Sequence, residues 1–129
     1  MTQSRADQVL RHPGFLCSSV SAEGALAVTG CGDGRVRVWS LQTFACLHTI
    51  DHSVGEPIFA VRIAHGLVAS GGHERSVKLW HAADGALITT LPHGGTVRGV
   101  AISSQGFVAT VGGQARRLAV WRPCQGSAQ

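Results

Sequence analysis

The sequence predicts an all-β fold made of three copies of one four-stranded antiparallel unit, the third copy lacking its fourth strand. Three observations lead there. The chain's three tryptophans, Trp39, Trp80 and Trp121, recur every 41 residues. Glycines keep the same interval at Gly30, Gly71 and Gly112, and histidines nearly so at His12, His52 and His93. Apolar residues alternate with other types before each tryptophan, the period-two pattern of a half-buried strand. An interval of roughly 20–50 residues marks a chain of stacked structural units.

The segments ending in tryptophan read GCGDGRVRVW, GGHERSVKLW and GGQARRLAVW. Each is a glycine-rich turn followed by a strand, with Val36/Val38, Val77/Leu79 and Leu118/Val120 at alternate positions. A strand precedes each turn, at Ala25–Thr29, Leu67–Ser70 and Phe107–Val111, so each pair forms a hairpin. After the first two tryptophans a polar turn leads to a further strand, Ala45–Ile50 and Leu87–Leu91, the second by way of Asp84-Gly85. A histidine loop then leads to Ile58–Ala64 and Val97–Ser103, with Phe15–Ser21 as their counterpart in the first unit. Residues 7–11 precede His12 as Thr49-Ile50 precedes His52, and read as the fourth strand of a unit not otherwise present. Prolines 13, 57, 92 and 123 fall in loops or at strand ends, where a missing N–H is tolerated. The repeats are expected at about 7–43, 44–84 and 85–122, inside a segment 1–124, with 125–129 as a disordered tail.

Composition narrows the function. At 129 residues, 44% hydrophobic and 17 glycines, the chain suits short strands and tight turns around a core. Its longest apolar stretches fall far short of the ~20 residues of a membrane-spanning helix. The N-terminal MTQSRADQVL lacks the apolar stretch of a signal peptide, so a cytoplasmic or nuclear protein, not a secreted one, is expected. Cys17, Cys31, Cys46 and Cys124 form no CxxC pair and are expected as free thiols in core or turn positions. The net charge of +4 is spread singly, with Arg116-Arg117 as the one adjacent basic pair. That is a solvated surface more than a nucleic-acid footprint.

Taken together, the repeated residues resemble the WD-repeat family of β-propellers over roughly residues 8–122. The resemblance implies a partial propeller of three blades, whose ring this chain alone does not close, since propellers have about 4–8 blades. It implies a polar network in each blade: a loop histidine, a strand hydroxyl, a turn carboxylate and the tryptophan. The first unit supplies His12, Thr29, Asp33 and Trp39. The second supplies His52, Ser70, Glu74 and Trp80, its longer carboxylate reaching the histidine only with a shifted turn. The third keeps His93 and Trp121, with Val111 and Ala115 where hydroxyl and carboxylate belong, so its network is expected to be broken.

No catalytic, cofactor or metal site is expected. His48, His65, His73 and His81 lack paired spacing. Gly30-Cys31-Gly32-Asp33-Gly34 joins two strands and does not open a helix, so it is a hairpin turn and not a phosphate loop. Thr29, Asp33 and His12 belong to the blade network and not to a nucleophilic triad. What remains is a non-catalytic protein-interaction scaffold. The resemblance puts its partner-binding face on the turns between second and third strands and on the loops between blades. In this sequence those carry Arg35, His73, Arg75, Gln114, Arg116 and Arg117, with Gly32, Asp33, Asp51, Glu56 and Gly95 alongside. A looser likeness to the propellers of F-box/WD-repeat proteins implies substrate recognition for a ubiquitin ligase, although no F-box segment is recognised here. The alternative is a nucleic-acid or anionic-surface binder using the same arginines, against which stands the lack of tyrosine and of free aromatic platforms. The chain is expected to be a fragment or isoform of a longer propeller, or else to self-associate through its open blade edges; no membrane partner is expected.

Overall fold

In the computed structural model of the chain, the described residues are 17–122 except 54 and 114, together with the side chains among them other than those at 18 and 115–117. The expected strand at 7–11, His12, Gln114 and the expected tail at 125–129 lie outside the described residues. Eleven strands and no helix are present among those described.

The first sheet is β1 (Cys17–Glu23), β2 (Leu26–Cys31), β3 (Arg35–Ser40) and β4 (Cys46–Asp51), paired in that order. The second is β5 (Ile58–Ala64), β6 (Leu67–Gly72), β7 (Ser76–His81) and β8 (Leu87–Pro92). The third is β9 (Gly99–Ile102), β10 (Val108–Gly112) and β11 (Ala115–Trp121), three strands instead of four. All pairings are antiparallel. The described residues form three blades of an open β-propeller.

Two apolar seams hold the blades together. Val28, Val36, Val38 and Ile50 of blade 1 pack against Ile58, Val61, Ile63, Val68 and Trp80 of blade 2. Ala69, Val77 and Leu79 of blade 2 pack against Val97, Val100 and Val108 of blade 3. The turn glycines are required by this approach. A Cβ on Gly30 would come within 2.5 Å of Ile58 Cγ2, and one on Gly71 within 2.5 Å of Val97 Cγ1. Each distance is well inside van der Waals contact, so a side chain there would force the seam apart.

A second tie joins blades 1 and 2 alone among the described residues. Val61 N–H donates to Ser19 Oγ at 3.0 Å and Ile63 N–H to Ser21 Oγ at 3.1 Å. His65 N–H donates to Glu23 Oε2 at 2.8 Å. Alternate side chains of β1 thus cap the free N–H groups along the edge of β5, an edge that would otherwise present unpaired donors. Blade 2 carries Ala60, Arg62 and Ala64 at the matching positions of β5, and no such ladder reaches blade 3.

One expectation is corrected here. Cys17 and Cys31 are not free thiols: they are partners across β1 and β2, with Cα atoms 3.9 Å apart, and form a disulfide. A count of spacings along the sequence does not see the cross-strand register that brings them face to face. Cys46 is free and exposed.

Candidate interaction face

The polar networks decide how the turns are held. In blade 2, Trp80 Nε1 donates to Ser70 Oγ at 3.0 Å, and His52 Nδ1 lies 2.6 Å from the same oxygen. Glu74 Oε1 sits 3.1 Å from His52 Nε2, at ion-pair distance though without hydrogen-bond alignment. Ser70 already accepts from the indole, so its O–H donates to Nδ1 and the imidazole proton sits on Nε2, facing Glu74. Lys78 Nζ donates to the His52 carbonyl at 2.8 Å and lies 3.7 Å from Glu74. Burial, and next the Lys78 charge, push the His52 pKa down to about 4 against the pull of Glu74. His52 is therefore neutral at pH 7.

In blade 1, Trp39 Nε1 donates to Thr29 Oγ1 at 3.1 Å. Asp33 accepts from Arg37 Nη2 at 3.0 Å and from the Arg35 N–H at 3.1 Å. Both Asp33 and Arg37 are buried. Burial opposes ionisation of Asp33, but the Arg37 hydrogen bond and the Arg35 N–H outweigh it and hold the carboxyl below its usual range.

Blade 3 corrects the sequence expectation. Its network does not lack a hydroxyl. Thr110 Oγ1 accepts from Trp121 Nε1 at 3.3 Å and meets His93 Nδ1 at 3.1 Å. Counting back from the tryptophan by the spacing of the first two repeats lands on Val111. The β10–β11 hairpin, however, carries one extra residue, absorbed as a register shift between Thr110 and Gly112. The carboxylate is what fails: His93 Nε2 is buried without a partner among the described residues. The position of Arg37 and Lys78 is held by Ala119, so the cation goes along with the carboxylate. Losing both avoids a buried charge left alone.

These networks set the turns of one end of the blades side by side. His52 and Ser53 N–H donate to the Gly34 carbonyl, His93 N–H to the Arg75 carbonyl and Val97 N–H to the Gly72 carbonyl. The β2–β3 and β6–β7 turns are thereby fixed to the loops between blades. Of the residues expected on this face, Arg35, His73 and Arg75 are brought together on it. Arg35 is half-exposed and committed: its Nε donates to Asp51 Oδ1 at 2.9 Å and its Nη1 lies 3.6 Å from Asp33. His73 Nδ1 is 3.8 Å from Glu56 Oε1, both exposed. Asp33 is buried and does not present itself to a partner. Arg75 is exposed and borders a shallow cavity of about 130 Å³ with Gly94, Gly95, Thr96 and Gly113. Gln114 is outside the described residues, and Arg116 and Arg117 are placed in β11 by their backbone alone.

Sequence reasoning did not find a second recess at the opposite end. His65, Gly66, Leu67, His81, Ile88, Ile102 and Gly106 line a mostly apolar cavity of about 340 Å³ between blades 2 and 3. Its residues come from turns and strand ends of four elements, and no spacing along the chain links them. Among the described residues no group of three or more histidine, cysteine or acidic side chains is placed to hold a metal ion.

Residues 7–40 match the family described as WD domain, G-beta repeat. A relative, Protein Notchless of Drosophila melanogaster, is 35% identical over 81 residues, which is 61% of this chain and 16% of the relative. The crystal structure of the computationally designed Ika8 protein is similar over 82% of this chain and 33% of that one, with a TM-score of 0.72 and 22% identity, a likeness of fold alone. The chain therefore spans a minor part of the length of both. No helix among its described residues is long and apolar enough to cross a membrane.

Proposed function

We propose that the chain is a non-catalytic protein-interaction scaffold that presents the end of the blades carrying Arg75, His73 and the inter-blade loops. The observation that carries this is the backbone tying of those turns to those loops, which holds exposed side chains from two blades on one rigid surface. A rigid surface loses less conformational freedom on binding, and arginine is a favoured anchor at protein interfaces. Arg75 is the best candidate anchor, because among the described residues no carboxylate engages it, whereas Arg35 is held by Asp51. The finer reading, substrate recognition for a ubiquitin ligase of the F-box/WD-repeat type, draws on the sequence resemblance alone, and a cytoplasmic or nuclear setting on the composition of the N-terminal residues.

The alternative partner for the same arginines is a nucleic acid or an anionic surface. Asp51 beside Arg35 and Glu56 beside His73 place carboxylates within this face, which favours a protein partner of mixed charge. Affinity capture from cells with the wild-type chain and an Arg75→Glu/His73→Ala variant tests the reading. Loss of the captured proteins in the variant supports it, and unchanged recovery removes this face. Ligase subunits among the lost proteins would support the finer reading. Recovery that is sensitive to nuclease would move the assignment to nucleic acid.

A further inference from the structure

The two outer blade faces differ from the inner ones in a matched way. Register pairs Ser19 with Gly30, Ala60 with Gly71 and Gly99 with Val111. Gly30, Gly71 and Val111 are thus one position in three blades. In the first two it must be glycine, because Ile58 and Val97 of the following blade press on it. In blade 3 it is Val111, 43% exposed. A following blade shaped like blades 2 and 3 would bring a branched side chain onto that valine and could not dock.

The opposite face shows the reverse change. Two residues before Ser19, Ala60 and Gly99 stand Cys17, Ile58 and Val97. The residue that pushes into the preceding blade is therefore smaller in blade 1, and its sulfur is turned to Cys31 by the disulfide. Ala22 and Ala27 likewise stand where Ile63 and Val68 fill the seam in blade 2. The face is still apolar: Val20, counterpart of the buried Val61, is 70% exposed. So the back of blade 3 is enlarged where the front of blade 1 is reduced. Bulk has moved across the joint, as cores do when total volume is kept.

We infer that the back of blade 3 docks on the front of blade 1 of a second copy of this chain, and that two copies close a ring of six blades. The occupant is a second copy because the complementary face belongs to this same chain and continues the two seams already formed between its blades. Head-to-tail contact that closes after two copies leaves no face open, and six blades lie within the usual range of about 4–8.

Sedimentation velocity of the full chain tests this. A two-chain mass is expected; a one-chain mass, or an open-ended polymer, overturns the inference. Val120→Asp should give a one-chain species with its β-sheet circular dichroism retained. Should that variant not fold, a size swap decides instead. Cys17→Ala should keep the dimer, while Cys17→Ile should weaken it at least tenfold by driving a branched side chain onto Val111. Adding Val111→Gly to Cys17→Ile recreates the pattern of the inner seams and should recover the dimer. If Cys17→Ile acts equally with and without Val111→Gly, the two positions are not in contact and the inference fails.

Discussion

Leu79 and Val120 occupy the same place in successive blades, yet Leu79 is fully buried and Val120 is 56% exposed. Val77 and Leu118 repeat the contrast, at 0% and 60%. Blades 1 and 2 each have a neighbour laid over this face, and among the described residues blade 3 does not. These two positions are apolar in both blades; only the company they keep differs.

The hydroxyl of Ser70 is the hub of the blade 2 network, so its removal should cost more than removal of either partner. Ser70→Ala leaves a buried indole N–H and a buried imidazole nitrogen unmatched, at about 1–3 kcal/mol for a buried unsatisfied group. Trp80→Phe removes the same indole bond but also removes the donor. Urea unfolding of Ser70→Ala, Trp80→Phe and the double variant should show strong non-additivity.

Thr110 and not Val111 should carry the third network. Thr110→Val is expected to destabilise by about 1–3 kcal/mol, by leaving Trp121 Nε1 and His93 Nδ1 without the shared oxygen. Val111→Thr should leave that network untouched. Equal effects of the two substitutions in chemical denaturation would mean that the register shift at Thr110 is wrong.

Blade 2 should weaken in mild acid. The folded pKa of His52 is lowered to about 4, below the ordinary histidine value of 6.5. Between those values the unfolded chain binds the extra proton and the folded chain does not. The contribution is complete above pH 6.5 and is lost as pH falls toward about 4. Melting temperature followed from pH 7.5 to 4 should drop over that window, and the drop should be smaller in His52→Gln.

The side-chain ladder predicts unequal seams. Amide exchange at Val61 and Ile63 should be slow, because Ser19 and Ser21 cap those N–H groups. Ser21→Ala should speed exchange at Ile63 by at least tenfold and cost about 1–3 kcal/mol in stability, since Ser21 is buried. Exchange at Val100 should be unaffected.

Much of this was legible from alternation and from the 41-residue interval. The strand at Ile58–Ala64 was placed at its observed limits, and most of the others within one or two residues. Trp39, Trp80 and Trp121 each donate the indole N–H to a strand hydroxyl, that of Thr29, Ser70 and Thr110. What escaped were relations across strands. Thr110 was missed because counting from the tryptophan assumes hairpins of equal length. The Cys17–Cys31 bond depends on register, which a linear count does not supply. The alternation of Ser19, Ser21 and Glu23 was visible, but an ordinary exposed strand face has the same look. Arg37 alternates with Val36 and Val38 as a solvent-facing strand residue would; only the packed seam reveals it buried on Asp33.

The disulfide predicts a simple thiol count. Air-oxidised protein carrying Cys46→Ser and Cys124→Ser should show no titratable thiol until reductant is added, and two afterwards. Two thiols before reduction would return Cys17 and Cys31 to the free state.

The central claim is that identical positions are sealed between blades 1, 2 and 3 and, among the described residues of one chain, exposed on the back of blade 3. It is tested most directly by comparing the urea unfolding midpoints of Leu79→Asp and Val120→Asp. Leu79→Asp should abolish the cooperative transition, because a carboxylate would be buried among Val77, Val97 and Val108. Val120→Asp should retain a cooperative transition, lowered only by the loss of the second copy's contact, because within one chain this side chain is exposed. Similar loss in both, or tolerance of both, would contradict the account.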